Sequence, residues 1–181
     1  MKSKINVKSL SIIALLTALA YVVTLLVRIP FPAASFLTYD PKDVFIIIGG
    51  FLYGPLVVIP MSVVVSLLEM PLSGTGPVGL LMNVLSTCSF AFIAALIYRK
   101  RKTILGAVVG LFFGILLMAG IMILWNYIIT PGYMGVPREV VVGMLLPVFV
   151  PFNLFKGVYN AAIAMLLYKR LSDILRKLRI I

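Results

Sequence analysis

This chain predicts an all-α integral membrane protein of six transmembrane helices, a single domain over residues 1–181 with the N- and C-termini both cytoplasmic. Three observations carry that prediction. Of the residues, 62% are hydrophobic and the mean hydropathy is +1.18. The apolar runs repeatedly reach the roughly 20 residues that a helix needs to cross hydrocarbon. Lys and Arg gather on one side of alternate runs, and cytoplasmic loops and tails are the ones that retain them.

Taken in order, the spans run over about residues 9–27, 43–53, 55–70, 78–98, 103–128 and 143–168. The second is short for a crossing, and Gly54-Pro55 turns it tightly into the third. The first run is too long for a secretory signal and has no small-residue cleavage site behind it, so it is expected to stay in the mature protein. Twelve of the sixteen Lys and Arg share one side: Lys2, Lys4 and Lys8; Arg99, Lys100, Arg101 and Lys102; Lys169, Arg170, Arg176, Lys177 and Arg179. The other side carries Arg28, Lys42 and Arg138, together with Asp40, Asp43, Glu69 and Glu139, and only Asp173 lies with the basic group. The net charge of +11 is therefore mostly a topology signal and not a nucleic-acid footprint. The basic tail could also touch anionic lipid of the surrounding bilayer.

Six spans in 181 residues leave no room for a soluble domain, so the bundle and its short loops must carry the function. No G-x-x-x-x-G-K-[ST] loop is present, so the chain cannot be its own ATPase. It has no His, and its single Cys88 has no C-x-x-C partner, which removes the usual metal sites and disulfides. A membrane hydrolase would need a nucleophile beside a positioned base. The acids here are scattered on the outer side without a facing His or Ser, so no enzyme is expected.

Lys156 is the only charged residue in the last long apolar segment, within Pro151-Phe152-Asn153-Leu154-Phe155-Lys156-Gly157-Val158-Tyr159-Asn160. A charge inside a bilayer is costly and by default marks a functional site or a partner. At about 100° per residue, positions 153, 156 and 160 fall within roughly 60° of one another, so Asn153, Lys156 and Asn160 form one polar stripe. Glu69 is the nearest candidate counter-charge, and a Glu69–Lys156 pair would favour a structural role. Asn83, Ser86 and Thr87 in the fourth span, and Trp125-Asn126 near the outer end of the fifth, are further polar or stacking groups at membrane depth. Asn, Ser and Thr also tie helices together, and Trp also marks interfaces; Ser86 and Thr87 are read that way, and Asn126, Asn153 and Lys156 as a site.

Two other features bear on function. Ser11, Ala14, Ala18 and Tyr21 recur at helical spacing in the first span, and Ala14-x-x-x-Ala18 permits another helix to approach closely, either within the molecule or from a partner. The outer segments Pro30–Pro41 and Leu72–Pro77 are too apolar for solvated links and read as lids over a mostly apolar pocket with a few fixed polar groups.

Several motifs in one order carry a family resemblance: Tyr39-Asp40-Pro41-Lys42-Asp43-Val44, Gly49-Gly50-Phe51-Leu52-Tyr53-Gly54-Pro55, Ser73-Gly74-Thr75-Gly76-Pro77-Val78-Gly79 with Asn83, Trp125-Asn126-Tyr127, and Pro151-Phe152-Asn153-Leu154-Phe155-Lys156-Gly157. Over essentially its whole length the chain resembles the riboflavin-specific S components of energy-coupling factor (ECF) transporters. That resemblance implies a multi-pass cell-membrane subunit whose site faces outside. It would take up riboflavin as transported substrate, with no cofactor, and work with one membrane scaffold protein and two ATPases. It moves Ala14 and Ala18 to a scaffold-docking face. It places Tyr39, Asp40, Thr75 and Gly76 over the outer side of the pocket, with Asn83, Trp125, Asn126, Asn153, Lys156 and Asn160 around it. An S component for another vitamin, or an assembly subunit without a ligand, are the alternatives.

Overall fold

In hydrocarbon every backbone N–H and C=O must be paired within the chain, which turns long apolar runs into helices. The computed structural model describes residues 7–177, so that Lys2, Lys4 and Arg179 lie outside the described residues. Within it, α1 (Val7–Leu26) leads through a hairpin of β1 (Ile29–Phe31) and β2 (Ala34–Tyr39) into α2 (Lys42–Tyr53). A 3-10 turn, Pro55–Val57, opens α3 (Val58–Ser73). Next come α4 (Gly76–Thr87) and α5 (Ile93–Lys100), joined without a break by a π-helical turn at Cys88–Phe92, and then α6 (Ile104–Ile128). The short α7 (Thr130–Met134) precedes α8 (Arg138–Met144) and α9 (Val150–Lys177), again joined by a π-helical turn, at Leu145–Phe149.

Among the described residues, five stretches are long and apolar enough to cross a membrane: Val7–Leu26, Pro55–Ser73, Gly76–Lys100, Ile104–Ile128 and Arg138–Leu171. The sixth expected span differs. With 12 residues α2 is about 18 Å long, short of the roughly 30 Å hydrocarbon core, and nearly every side chain on it is buried. A helix apolar all round is an enclosed one. Yet α2 does run the length of the bundle below the hairpin, because Phe51 near its end stacks on Tyr98 of α5 and Tyr168 of α9 at 4.5 and 5.5 Å between ring centroids. The last stretch begins five residues earlier than expected. Pro147 and Pro151 withhold two ladder donors, and the π-helical turn that contains Pro147 carries the helix through instead of ending it.

The hairpin corrects the all-α expectation. Residues 30–41 read as a loop because of Pro30, Pro32 and Pro41, but Ile29 pairs with Tyr39 and Pro30 with Thr38 in antiparallel register. Buried Leu37 and Tyr39 alternate with exposed Phe36 and Thr38. The inward residues Ala34, Leu37 and Tyr39 form a small core with Val141, Phe149 and Phe152, so the hairpin is seated on α8 and the start of α9.

The larger core joins α1, α2, α3, α5, α6 and α9. Close approach of α6 to α4–α5 depends on Gly110 and Gly114, where an added Cβ would stand 2.6 Å from the Ala94 carbonyl oxygen and 2.5 Å from that of Phe90. On the outside of α6, Phe112, Phe113, Leu116 and Leu117 are exposed, as a lipid-facing surface requires.

Candidate functional site

Beneath the hairpin lies a cleft of about 490 Å³, counting its open mouth. Phe36, Leu37 and Thr38 cover it; Met82, Asn83 and Ser86 of α4, Met122 and Asn126 of α6, and Phe149, Phe152, Asn153 and Lys156 complete the lining. Phe36 and Phe149 face each other across it at 6.2 Å between centroids. The mix of apolar walls with a few convergent polar groups is that of a small-molecule site.

Two of its amides donate to carbonyls of the preceding turn. Asn126 donates to the Met122 carbonyl at 2.7 Å and accepts from Thr130 at 2.9 Å. Asn153 donates to the Phe149 carbonyl at 2.8 Å, beside the π-helical turn, while its side-chain oxygen takes no hydrogen bond from a described residue. Both side chains are thus fixed in orientation with capacity to spare.

Lys156, 4% exposed, is paired with Asp40 at 3.7 Å and Asp43 at 3.6 Å. These are ion pairs without a short hydrogen bond, so the ammonium keeps donors for a guest in the cleft. A chain of alternating charge continues behind it. Lys42 contacts Asp40 at 3.4 Å and also Glu69, and Glu69 meets Arg28 at 3.3 Å and Asn83 at 3.4 Å. Arg28 also donates to the Leu72 carbonyl at 3.2 Å, tying the end of α1 to the end of α3. On the other flank, Asp43 is fully buried and accepts from Thr87 at 2.6 Å and Asn160 at 3.4 Å, and Asn160 accepts from the Tyr39 hydroxyl at 3.1 Å. Three acids and three bases are matched, which is what burial of so many charges demands.

The two network members on the hairpin side respond to this setting. Burial alone would raise the Asp40 carboxyl, but Lys156 and Lys42 outweigh it and the net displacement is downward. The Tyr39 hydroxyl is pushed up to about 12, first by burial and then by Asp40, so it remains a donor to Asn160 across the physiological range.

This arrangement revises the charge reading. The acids are gathered and not scattered: Asp40, Asp43 and Glu69 are all buried, and Lys42, counted as an outer loop cation, is 1% exposed. Lys156 does have acidic partners, and they are Asp40 and Asp43, because α2 starts inside the bundle beside α9; Glu69 serves Lys42 and Arg28 instead.

Comparison with known proteins now decides the family. The model of the ECF transporter substrate-specific component matches residues 8–168. The chain belongs to this family. Among curated relatives of this S component, the riboflavin transporter RibU of Staphylococcus aureus (strain TCH60) is 29% identical over 178 residues, covering 94% of each chain. The riboflavin transporter FmnP of Bacillus subtilis (strain 168) is 29% identical over 183 residues, covering 92% of this chain and 93% of the relative. A solved structure of the S component of a bacterial ECF transporter superposes with a TM-score of 0.80 at 31% identity, over 93% of this chain and 97% of that one.

Of the residues singled out in the sequence, Asn83, Asn126, Asn153 and Lys156 line the S component's cleft together. Tyr39, Asp40 and Asn160 stand one contact behind it, around Lys156 and Asp43. Trp125 packs against the main core, and Thr75 bonds to Ser73 at 2.8 Å in the α3–α4 turn, where Gly76 has a positive φ of 58°; none of these three lines the cleft. Ala14 and Ala18 are exposed on the outer face of α1, so they do not pack within the bundle. Phe36, Leu37, Thr38, Met82, Met122, Phe149 and Phe152 were missed as liners, and Ser86, read as a tie between helices, lines the cleft too. Helical spacing would have found Met122, one turn before Asn126, and Phe149, one turn before Asn153.

Proposed function

We propose that this chain is the riboflavin-binding S component of an ECF transporter, holding the vitamin in the cleft beneath the hairpin. The observation that carries the reading is the Lys156 ammonium at the cleft, flanked by Asn126 and Asn153 and walled by Phe36, Phe149 and Phe152. An isoalloxazine ring has two broad apolar faces and a polar edge of carbonyls and imide. Aromatic and Met side chains suit the faces, while the ammonium and amides suit the edge or the ribityl hydroxyls. Asn83 serves as a further polar liner, and Trp125 supports Asn126 from the next position. Tyr39, Asp40 and Asn160 hold Lys156 and the hairpin in register, and Thr75 and Gly76 shape the neighbouring outer turn. The names of the curated relatives support riboflavin over another vitamin. Riboflavin is cargo here, and neither catalysis nor a resident cofactor enters the proposal.

The bundle crosses the cell membrane six times when the short α2 is counted, with the hairpin facing outside and both termini in the cytoplasm; the excess of Lys and Arg at the end opposite the hairpin supports this orientation. A scaffold membrane protein docks on Ala14 and Ala18 of α1 and brings two ATPases. The exposure of both alanines supports docking over internal packing.

Titration of riboflavin fluorescence against the purified chain tests the ligand, with saturable, stoichiometric quenching expected. Folded protein that leaves the fluorescence unchanged overturns the riboflavin assignment. Ala14→Leu with Ala18→Leu tests docking: quenching should persist while uptake and co-purification with the scaffold are lost. Uptake that survives both changes removes the docking role.

A further inference from the structure

A second cleft opens at the opposite end of the bundle from the hairpin, between the last turn of α5 and the first turns of α6. It encloses about 890 Å³ counting its open mouth. Ile97, Leu105 and Val109 wall it, and Lys100, Arg101 and Thr103 form its rim. Leu105 and Val109 are 68% and 37% exposed, so no part of the described chain fills the apolar part. Val109 lies about 8 Å along the helix from Ile104. The wall therefore descends from the level of the loop into the depth of hydrocarbon, while the rim stays at headgroup level.

The rim favours an anion for two separate reasons. Arg99, Lys100, Arg101 and Lys102 are consecutive, none of them is paired with a described carboxylate, and no acid lines the cleft. In addition, α6 begins here. Thr103 caps the Gly106 N–H at 3.1 Å, but the amides of Ile104 and Leu105 have no acceptor within the helix and stand at its positive end. Orientation by positive charge explains why such a loop is basic, and lipid contact explains apolar side chains on the outside of α6. Neither explains a cleft that opens between α5 and α6 directly beneath the charges.

We infer that this cleft holds an anionic phospholipid, its phosphate between Lys100, Arg101 and the first turn of α6 and one acyl chain along Ile97, Leu105 and Val109. A phosphate diester gives the guanidinium and ammonium charge-assisted hydrogen bonds, and basic residues at the membrane surface attract anionic headgroups. The site is separate from the riboflavin cleft, so the two assignments stand or fall apart.

Native mass spectrometry of the full chain in detergent tests it, with phosphatidylglycerol and phosphatidylcholine of matched acyl chains as probes. Phosphatidylglycerol should be retained at about tenfold lower concentration than phosphatidylcholine. Lys100→Gln with Arg101→Gln should abolish that preference, and Val109→Trp, which fills the wall and leaves both charges, should lower phosphatidylglycerol retention several-fold. Lys169→Gln with Arg170→Gln, on the tail, should change neither. An unchanged unfolding temperature of each variant in detergent reports that the fold is intact, whatever the outer cleft binds. Equal retention of the two lipids, a preference that survives loss of Lys100 and Arg101, or displacement of the lipid by millimolar inorganic phosphate would each overturn the assignment.

Discussion

The two ends of this bundle use charge in opposite ways. Below the hairpin, Arg28, Lys42, Asp40, Asp43, Glu69 and Lys156 are drawn together, five of them nearly or fully buried, with each base within 4 Å of an acid. At the far end the interior is closed by Phe51, Tyr98 and Tyr168, and the cations of Arg99–Lys102 stand outside in the open. Desolvating an ion costs several kcal/mol even after relaxation, so a membrane protein that needs only to pack would build both ends like the second. The first end is arranged around Lys156, the one member of the network that lines the cleft. The matched acids and bases behind Lys156 make a buried, charged hydrogen-bond donor tolerable at the wall of the cleft.

The largest effect is expected at Lys156. In Lys156→Ala the carboxylates of Asp40 and Asp43 lose the cation between them, and removing one member of a buried pair costs about 3–5 kcal/mol. Thermal unfolding in detergent should fall accordingly and riboflavin quenching should vanish. Lys100→Ala at the exposed end should shift unfolding by no more than about 0.5 kcal/mol, as surface substitutions do. Equal losses at the two positions would mean that the network carries no special stability. Next in size is Asn153→Ala, which deletes a polar liner outside the ion network. Riboflavin affinity should drop by about 1–3 kcal/mol, the range for leaving a buried partner unsatisfied, which titration reads as roughly a five- to 150-fold rise in Kd. Wild-type affinity in this variant would take Asn153 out of the site.

Much of this was legible in the residues. The apolar runs located the five long crossings to within a few residues, and the cost of an intramembrane charge singled out Lys156 together with the amides on its face. The motif order pointed to the S-component family, which the family match bears out. The ionic network was not legible, and the reason is local. Lys42, Asp43 and Glu69 lie near the ends of apolar runs, where a charge is easily assigned to the outer surface. Only the inward start of α2 and the seating of the hairpin on α8 and α9 bring them beneath the surface. Glu69 nevertheless stands within Leu67-Leu68-Glu69-Met70, and the rule that marked Lys156 applies to it equally. The hairpin was hidden by Pro30 and Pro32, which suit a loop as well as a short strand with few ladder bonds. Which helices are neighbours, and hence that Thr87 reaches Asp43, follows from packing and not from any single span.

A smaller effect is expected on the hairpin side. Tyr39 has its hydroxyl raised to about 12 from an ordinary value of 10.0, so the folded state holds this proton more tightly than the unfolded one. The stability it lends is complete below pH 10 and is lost as the pH rises towards 12. Unfolding temperature should therefore decline over that window in the native chain and decline less in Tyr39→Phe. Identical alkaline profiles would show that burial beside Asp40 does not hold this proton in the folded state.

The smallest change is expected at the far end. Tyr98→Phe removes one partner of the 2.9 Å hydroxyl contact with Tyr168 but leaves the ring, whose stacking on Phe51 at 4.5 Å closes the interior. Hydrogen bonds between membrane helices average about 0.6 kcal/mol, so unfolding should shift by no more than that, with riboflavin affinity unchanged. A loss comparable with that of Lys156→Ala would mean that the tyrosine pair is as demanding as the ion network, and the two ends would no longer differ in kind.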